Sequence, residues 1–258
     1  MPNTAFVTGA TSGFGQAIAR KLAHEGWNVI ITGRRRERLQ ALADELSEYA
    51  AILPLAFDVT DKHAVQSAIG GLSGEFAQVT ALINNAGMAS GAAPAQECSI
   101  EGWEAMVDTN IKGPLYCTHA LLPTLLAQQA GAAIVNIGSV AANWPYPGSH
   151  VYGASKAFIH QFSLNLRCDL VGTGVRVTDV QPGLSKTEFS LVRFAGDRDQ
   201  ADSVYAGTQP ILPADVANTV FWVLSQPGNV NVNTIEVMAG CQAWKGFNIV
   251  RQEGASPV

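Results

Sequence analysis

Short apolar runs alternate with helix-length amphipathic segments from one end of this chain to the other. The first run is AFVTGA from Ala5, and an amphipathic segment follows from Gly13 to about Glu25. A second strand, NVIITG, spans Asn28 to Gly33; the segment after it places Leu39, Leu42, Ala43 and Leu46 on one helical face. Further strands are read at ILPLAFDV, ending at Val59, and at Thr80 to Asn84, Ala132 to Ser139 and Val175 to Val180; a short seventh begins at Thr234. Several of these runs are apolar on both faces, as in parallel strands covered by helices on each side. Alternating β and α segments of this kind predict an α/β fold, a doubly wound parallel sheet of about seven strands.

No linker rich in Pro, Gly or Ser divides the chain and no repeat is visible, so one domain over residues 1–258 is expected. Residues 184–213 break the rhythm without a clear strand. An insertion there would lie over the carboxyl ends of the strands, where ligands bind in open α/β sheets. Residues 239–258 form a tail whose Trp244, Phe247 and Ile249 suggest docking on a core or another subunit.

Composition narrows the class. Of 258 residues 47% are hydrophobic and 14% charged, enough apolar material for a sizeable core, and this excludes global disorder. The net charge of −5, with basic residues mostly dispersed, argues against a nucleic-acid-binding face. No apolar run is long enough to span a membrane, and the start of the chain lacks the features of a signal peptide. Cys98, Cys117, Cys168 and Cys241 lie far apart with no C-x-x-C pair, so a reducing compartment is expected. The histidines show no metal-ligand spacing, and no metal is expected.

Candidate chemistry begins where the first strand runs into Thr8-Gly9-Ala10-Thr11-Ser12-Gly13-Phe14-Gly15 and a helix. Glycines permit a tight turn and close approach to a pyrophosphate, and the helix N-terminus offers free N–H groups and partial positive charge. The spacing is G-x-x-x-G-x-G. At the end of the second strand, a ribose 2′-hydroxyl calls for an acidic residue. This chain has Gly33-Arg34-Arg35-Arg36 there. Arg34 and Arg35 suit a 2′-phosphate, which a guanidinium binds bidentately, so NADP(H) is favoured over NAD(H).

Tyr152 and Lys156 stand four residues apart, one helical turn, and share a face. A free phenol has a pKa of ~10 and is a poor base at neutral pH. A cation about 5 Å away is expected to lower it by roughly 2 pH units. The phenol then exchanges a proton with a substrate hydroxyl or carbonyl. Ser139 ends the fifth strand at the same edge, ready to bond the reacting oxygen, and Asn110 offers an amide to hold a water leading to the lysine.

The chain at this point resembles the short-chain dehydrogenases/reductases over nearly its whole length. The resemblance rests on TGATSGFG (Thr8 to Gly15), Asp58-Val59, NNAG (Asn84 to Gly87), Asn110, Ser139, YGASK (Tyr152 to Lys156) and Pro182-Gly183 with Thr187. It implies Tyr152 as general acid/base and Ser139 as holder of the substrate oxygen. Lys156 is implied as tyrosine tuner and nicotinamide-ribose ligand, and Asn110 as holder of the relay water. Cofactor contacts are implied for Gly9, Thr11, Ser12, Gly13, Phe14, Gly15, Asp58, Val59, Asn85, Gly87, Pro182, Gly183 and Thr187. Within the family, stretches such as NIGSVAANWPY and PGLSKTEFSLVRF look like the NADP-dependent 3-hydroxy acid dehydrogenases. That likeness implies a cytoplasmic homotetramer acting on small 3-hydroxy acids (serine, allo-threonine, 3-hydroxypropionate) or the matching carbonyls. Two departures touch the substrate end: Ala239 follows Met238 where that group tends to have proline, and Pro147 follows Tyr146.

A carboxylate substrate needs a cationic partner, and Arg193 in the segment over the active edge is the candidate; His150 is a second candidate pocket group. Two other readings stay open: a reductase for bulkier ketones or ketoesters, and an NADP-binding sensor without turnover.

Overall fold

The computed structural model describes residues 3–128 and 131–244. Its strands are β1 (Thr4–Val7), β2 (Asn28–Gly33), β3 (Ile52–Ala56), β4 (Ala81–Asn84), β5 (Ala133–Ile137), β6 (Arg176–Pro182) and β7 (Thr234–Val237). The helices are α1 (Gly13–His24), α2 (Arg36–Leu46), α3 (Lys62–Gly70), α4 (Ile100–Val107), α5 (Gly113–Ala127), α6 (His150–Asp169), α7 (Phe189–Arg193), α8 (Arg198–Ser203) and α9 (Pro213–Leu224). The strands form one parallel sheet in the order β3-β2-β1-β4-β5-β6-β7.

The period-2 alternation of each strand divides its side chains between two cores. Val7, Val29, Ile31, Ile83, Val135, Ile137 and Val180 point to one face and pack with Leu22 of α1, Leu42 of α2 and Val220 of α9. Phe6, Ile30, Leu82, Ile134 and Val177 point to the other, against Val65 of α3 and Leu121 of α5. Each such buried side chain contributes about 2 kcal/mol. The two-sided apolar pattern of the strands is therefore what fixes a sheet between helical layers.

The ladder ends earlier than the apolar runs do. β1 stops at Val7 because the chain turns at Gly9, with φ +68. β3 stops at Ala56, and Asp58 then folds into a turn in which its Oδ1 accepts from the Thr60 amide and hydroxyl. Residues 184–213 contain the short helices α7 and α8 and one isolated bridge between Ser185 and Ile211. Of the tail, the Trp244 ring lies 5.3 Å from that of Trp144, while Phe247 and Ile249 fall outside the described residues.

One charged residue helps to close the sheet end of α9. Arg176, 7% exposed, donates from Nη1 to the Val223 carbonyl and from Nη2 to the Leu224 carbonyl, both at 2.9 Å. These are last-turn carbonyls that the helix itself leaves without partners. Arg176→Leu is expected to lower unfolding stability by about 2 kcal/mol, read as a lower denaturant midpoint; an unchanged midpoint contradicts this role.

Candidate active site

The order of strands reverses between β1 and β4, and the candidate residues gather at the carboxyl ends around that point. On the β1 side the loop from Thr8 to Gly15 leads into α1. Gly9 and Gly13 have φ of +68 and +55, the region open to glycine. A Cβ on Gly9 would lie 2.9 Å from the Ala86 Cα, and one on Gly15 would overlap the Asn85 amide and the Gly9 carbonyl. Asn85 braces the turn: its Nδ2 donates to the Thr8 carbonyl at 2.8 Å and the Gly9 carbonyl at 3.2 Å. Its expected part in the cofactor site is thus to set the loop's shape. The first turn of α1 carries no acidic residue, and its N-cap Ser12 makes no side-chain capping bond, so the helix end is open to an anion.

Arg35 reaches into this loop. Its Nε and Nη2 donate to the Thr11 hydroxyl at 3.1 and 2.7 Å, and Nη2 also donates to the Ser12 hydroxyl at 2.9 Å. Arg34 stands beside it, 3.7 Å from the Asp58 carboxylate and 78% exposed. A glycine cradle beside two guanidiniums fits a dinucleotide carrying a 2′-phosphate. Val59 packs under Gly113, where a Cβ would come within 2.9 Å of it.

Glu188 has no counterpart among the expected site residues. It follows Thr187, which packs against Gly13, and its carboxylate pairs with Arg35 at 3.2 Å and Arg38 at 3.0 Å. Burial works to raise that carboxyl, but Arg38 and Arg35 outweigh it and hold it below the usual range. The segment after β6 is thereby tied across the cleft to the arginines of the phosphate end. At its other end, Gly183 donates to the Val237 carbonyl, and Gln242 accepts from the Leu184 amide.

The catalytic candidates converge as the spacing suggests. Tyr152 and Lys156 share a face of α6, with the Lys156 Nζ 5.9 Å from the centre of the phenol ring. Lys156, 7% exposed, donates to the Ile137 carbonyl at 2.7 Å, which pins it beneath the end of β5. Gly87 approaches the same amine: a Cβ there would lie 3.6 Å from Nζ. Ser139 leaves β5 beside the phenol and accepts from the Ala141 amide at 3.1 Å.

One expectation needs correction, the direction of the tyrosine shift. Tyr152 keeps part of its surface accessible, as a cleft residue must, yet burial of its surroundings pushes the phenol up to about 12. The Ser139 hydrogen bond and the Arg193 charge pull it down, and Tyr146 pushes it up. Lys156 does not acidify it as expected, because burial also brings the amine down to about 8. Asn110 lies in a π-helical turn, Asp108–Lys112, between α4 and α5. Its Oδ1 accepts from the Met88 amide at 2.8 Å, and Nδ2 donates to the Met88 carbonyl and the Ser155 hydroxyl. That amide ties together the β4 loop, the turn and α6, and its oxygen keeps a second acceptor site.

Arg193, at the end of α7, donates from Nε to the Gly91 carbonyl at 2.9 Å and lies 5.7 Å from the Tyr146 ring centre. It therefore stands near the phenol, where its charge is felt. His150 turns elsewhere. Its Nε2 lies 3.2 Å from Cys98 Sγ, and Nδ1 accepts from the Val151 amide. It borders a cavity of about 680 Å³ with Ala92, Pro94, Tyr146 and Gly148. Ala141 and Gly153, close in the chain to Ser139 and Tyr152, also line that space.

Among the described residues, no helix is long and apolar enough to cross a membrane.

A family model described as "short chain dehydrogenase" matches residues 3–196. The chain is 54% identical over 251 residues to "Sulfoacetaldehyde reductase 2" of Chromohalobacter salexigens, covering 97% of this chain and 100% of that protein. It is 51% identical over 252 residues to "Serine 3-dehydrogenase" of Agrobacterium fabrum, with 98% and 100% covered. A solved structure described as the closed form of serine dehydrogenase complexed with NADP+ superposes with a TM-score of 0.93 at 49% identity, over 96% of this chain and 100% of that one.

Proposed function

From the premise that this chain belongs to the short-chain dehydrogenase family, we propose that it is an NADP(H)-dependent oxidoreductase of small β-hydroxy anions and the matching carbonyls. The substrate carries a hydroxyl or carbonyl on one carbon, a single carbon spacer, and an acidic group. Serine, allo-threonine and 3-hydroxypropionate have this outline with a carboxylate. Sulfoacetaldehyde has it with a sulfonate. Similarity to both a serine 3-dehydrogenase and a sulfoacetaldehyde reductase supports one shared outline.

The observation that carries this reading is the convergence of Tyr152 and Lys156, on one face of α6, with the end of β5 that leads to Ser139. Ser139 holds the reacting oxygen and Tyr152 exchanges its proton. Arg193, across the cleft mouth, receives the acidic end. Lys156 orients the ribose and keeps a positive charge behind the phenol. Asn110 fixes the π-turn against α6. When bound, NADP(H) supplies the hydride or accepts it, together with a positive ring in the oxidised state. Arg34 and Arg35 take the 2′-phosphate.

A substrate panel tests the proposal: serine, 3-hydroxypropionate, 2-hydroxyethanesulfonate and a neutral alcohol with NADP⁺, and sulfoacetaldehyde and a bulky ketoester with NADPH. A higher kcat/KM for the anions than for the neutral alcohol or the ketoester is expected, and preference for the ketoester contradicts the assignment. Arg193→Ala should raise KM for the anions about tenfold or more while leaving that for the neutral alcohol nearly unchanged. Equal effects on both remove Arg193 from substrate binding.

A further inference from the structure

β6 carries an aspartate where its neighbours Val177 and Val180 are buried apolar side chains. Asp179 is 0% exposed. It sits opposite Asn136 in the sheet, next to the pair Ile137 and Val180. A Cβ on Gly138 would overlap its carboxylate, so the absence of a side chain at 138 is what admits it. Oδ2 accepts from Gln181 Nε2 at 2.7 Å and meets His160 Nδ1 at 2.9 Å. Gln181 is steadied in turn by Asn143 at 2.9 Å. Oδ1 has no hydrogen-bond partner among the described residues.

Burying a carboxylate with one oxygen unpartnered costs several kcal/mol, which an apolar residue in the strand would avoid. Its surroundings show what it serves. The Ile137 carbonyl, next to Gly138, receives the Lys156 ammonium, and His160 lies one turn along α6 from Lys156. Burial weakens that ammonium, and Asp179 is the group that opposes the weakening. The other charged or titratable groups around the pair are Tyr152 and His160 on α6 and, acting on the phenol, Arg193 on α7. Asp179 is the one acid among them: burial pushes its carboxyl up, and Gln181, His160 and Lys156 pull it back toward the charged form.

We propose that Asp179 is a positioning residue for the reaction: a buried counter-charge, held by His160 and Gln181, that keeps Lys156 protonated beneath the β5 edge. This rests on the part given to Lys156 under the proposed function. The sign follows from the charges. A carboxylate nearby favours the ammonium, so removing it moves loss of the Lys156 proton to lower pH.

The test is a titration of the full-length protein with lysine carrying ¹³C at the ε carbon, followed by NMR. The Lys156 signal is assigned by its disappearance in Lys156→Arg. Two neutral replacements, Asp179→Asn and the smaller Asp179→Ser, guard against a fold lost to poor packing. In a variant shown folded by circular dichroism, the Lys156 midpoint should fall by about one pH unit or more. The alkaline limb of kcat for NADPH-driven reduction should move with it. An unmoved midpoint, or a uniform loss of kcat with the limb in place, overturns the proposal. The NMR titration needs no turnover, so it judges Asp179 separately from the proposed reaction.

Discussion

Tyr152→Phe is expected to lower turnover by about 10²- to 10⁴-fold while leaving the dissociation constant for NADPH within about twofold. The two parts of the expectation have different origins. In the proposed mode, cofactor binding draws on the glycine loop, the arginines and Lys156, none of which needs the phenol oxygen. Lys156 is anchored by the Ile137 carbonyl and keeps its place when the hydroxyl is removed. Proton exchange with the substrate oxygen has no other donor of suitable reach, since Ser139 is a neutral hydroxyl that ionises far less readily. Stopped-flow turnover and quenching or enhancement of reduced-nicotinamide fluorescence measure the two separately. Near-normal turnover would remove Tyr152 from the chemistry.

Exchange of both Arg34 and Arg35 for alanine is the second large effect. It should reduce kcat/KM with NADPH about a hundredfold while changing the value with NADH by less than about threefold. Each guanidinium supplies charge-assisted hydrogen bonds to a phosphate, but Arg34 is 78% exposed and solvent screens it, so most of the loss belongs to Arg35. Arg35 is held in place by Thr11 and Ser12, in the loop proposed to cradle the pyrophosphate. Glu188 pairs with Arg35 and Arg38 and would compete with a 2′-phosphate for them. Steady-state kinetics with both cofactors, at two salt concentrations, separates the contributions. Equal losses with NADPH and NADH would show that the arginines shape the loop and do not read the phosphate.

Much of this architecture was legible in the chain because the strands carry apolar residues on both faces and the helices on one. All seven strands fall where such runs occur, and β2 matches its expected bounds residue for residue. The ends were less legible, since apolar side chains continue past the last ladder bond: Phe57 and Val59 look like strand but follow a chain already turning at Asp58. Helices α7 and α8, with five and six residues, are too short for a 3.6-residue period to register. In the site, the residue types and their order announced the Tyr152, Lys156 and Ser139 cluster. The balance of charge did not follow, because spacing supplies a Coulomb attraction but not the desolvation that opposes it. Burial decides the direction at both Tyr152 and Lys156. Asp179 left no clear mark either, since β6 already carries Arg176, Thr178 and Gln181 beside it. Glu188 was hidden for another reason: its partners are about 150 positions away in the chain.

The most direct test of the account is a single absorbance experiment. The purified protein is mixed with NADP⁺ and either 3-hydroxypropionate or 2-hydroxyethanesulfonate, and reduced nicotinamide is followed in the wild type and in Tyr152→Phe. The account predicts steady reduction by the wild type on at least one of these anions and almost none by the variant, with both proteins binding the cofactor. Tight cofactor binding without reduction on either anion, or equal rates in the two proteins, would contradict it.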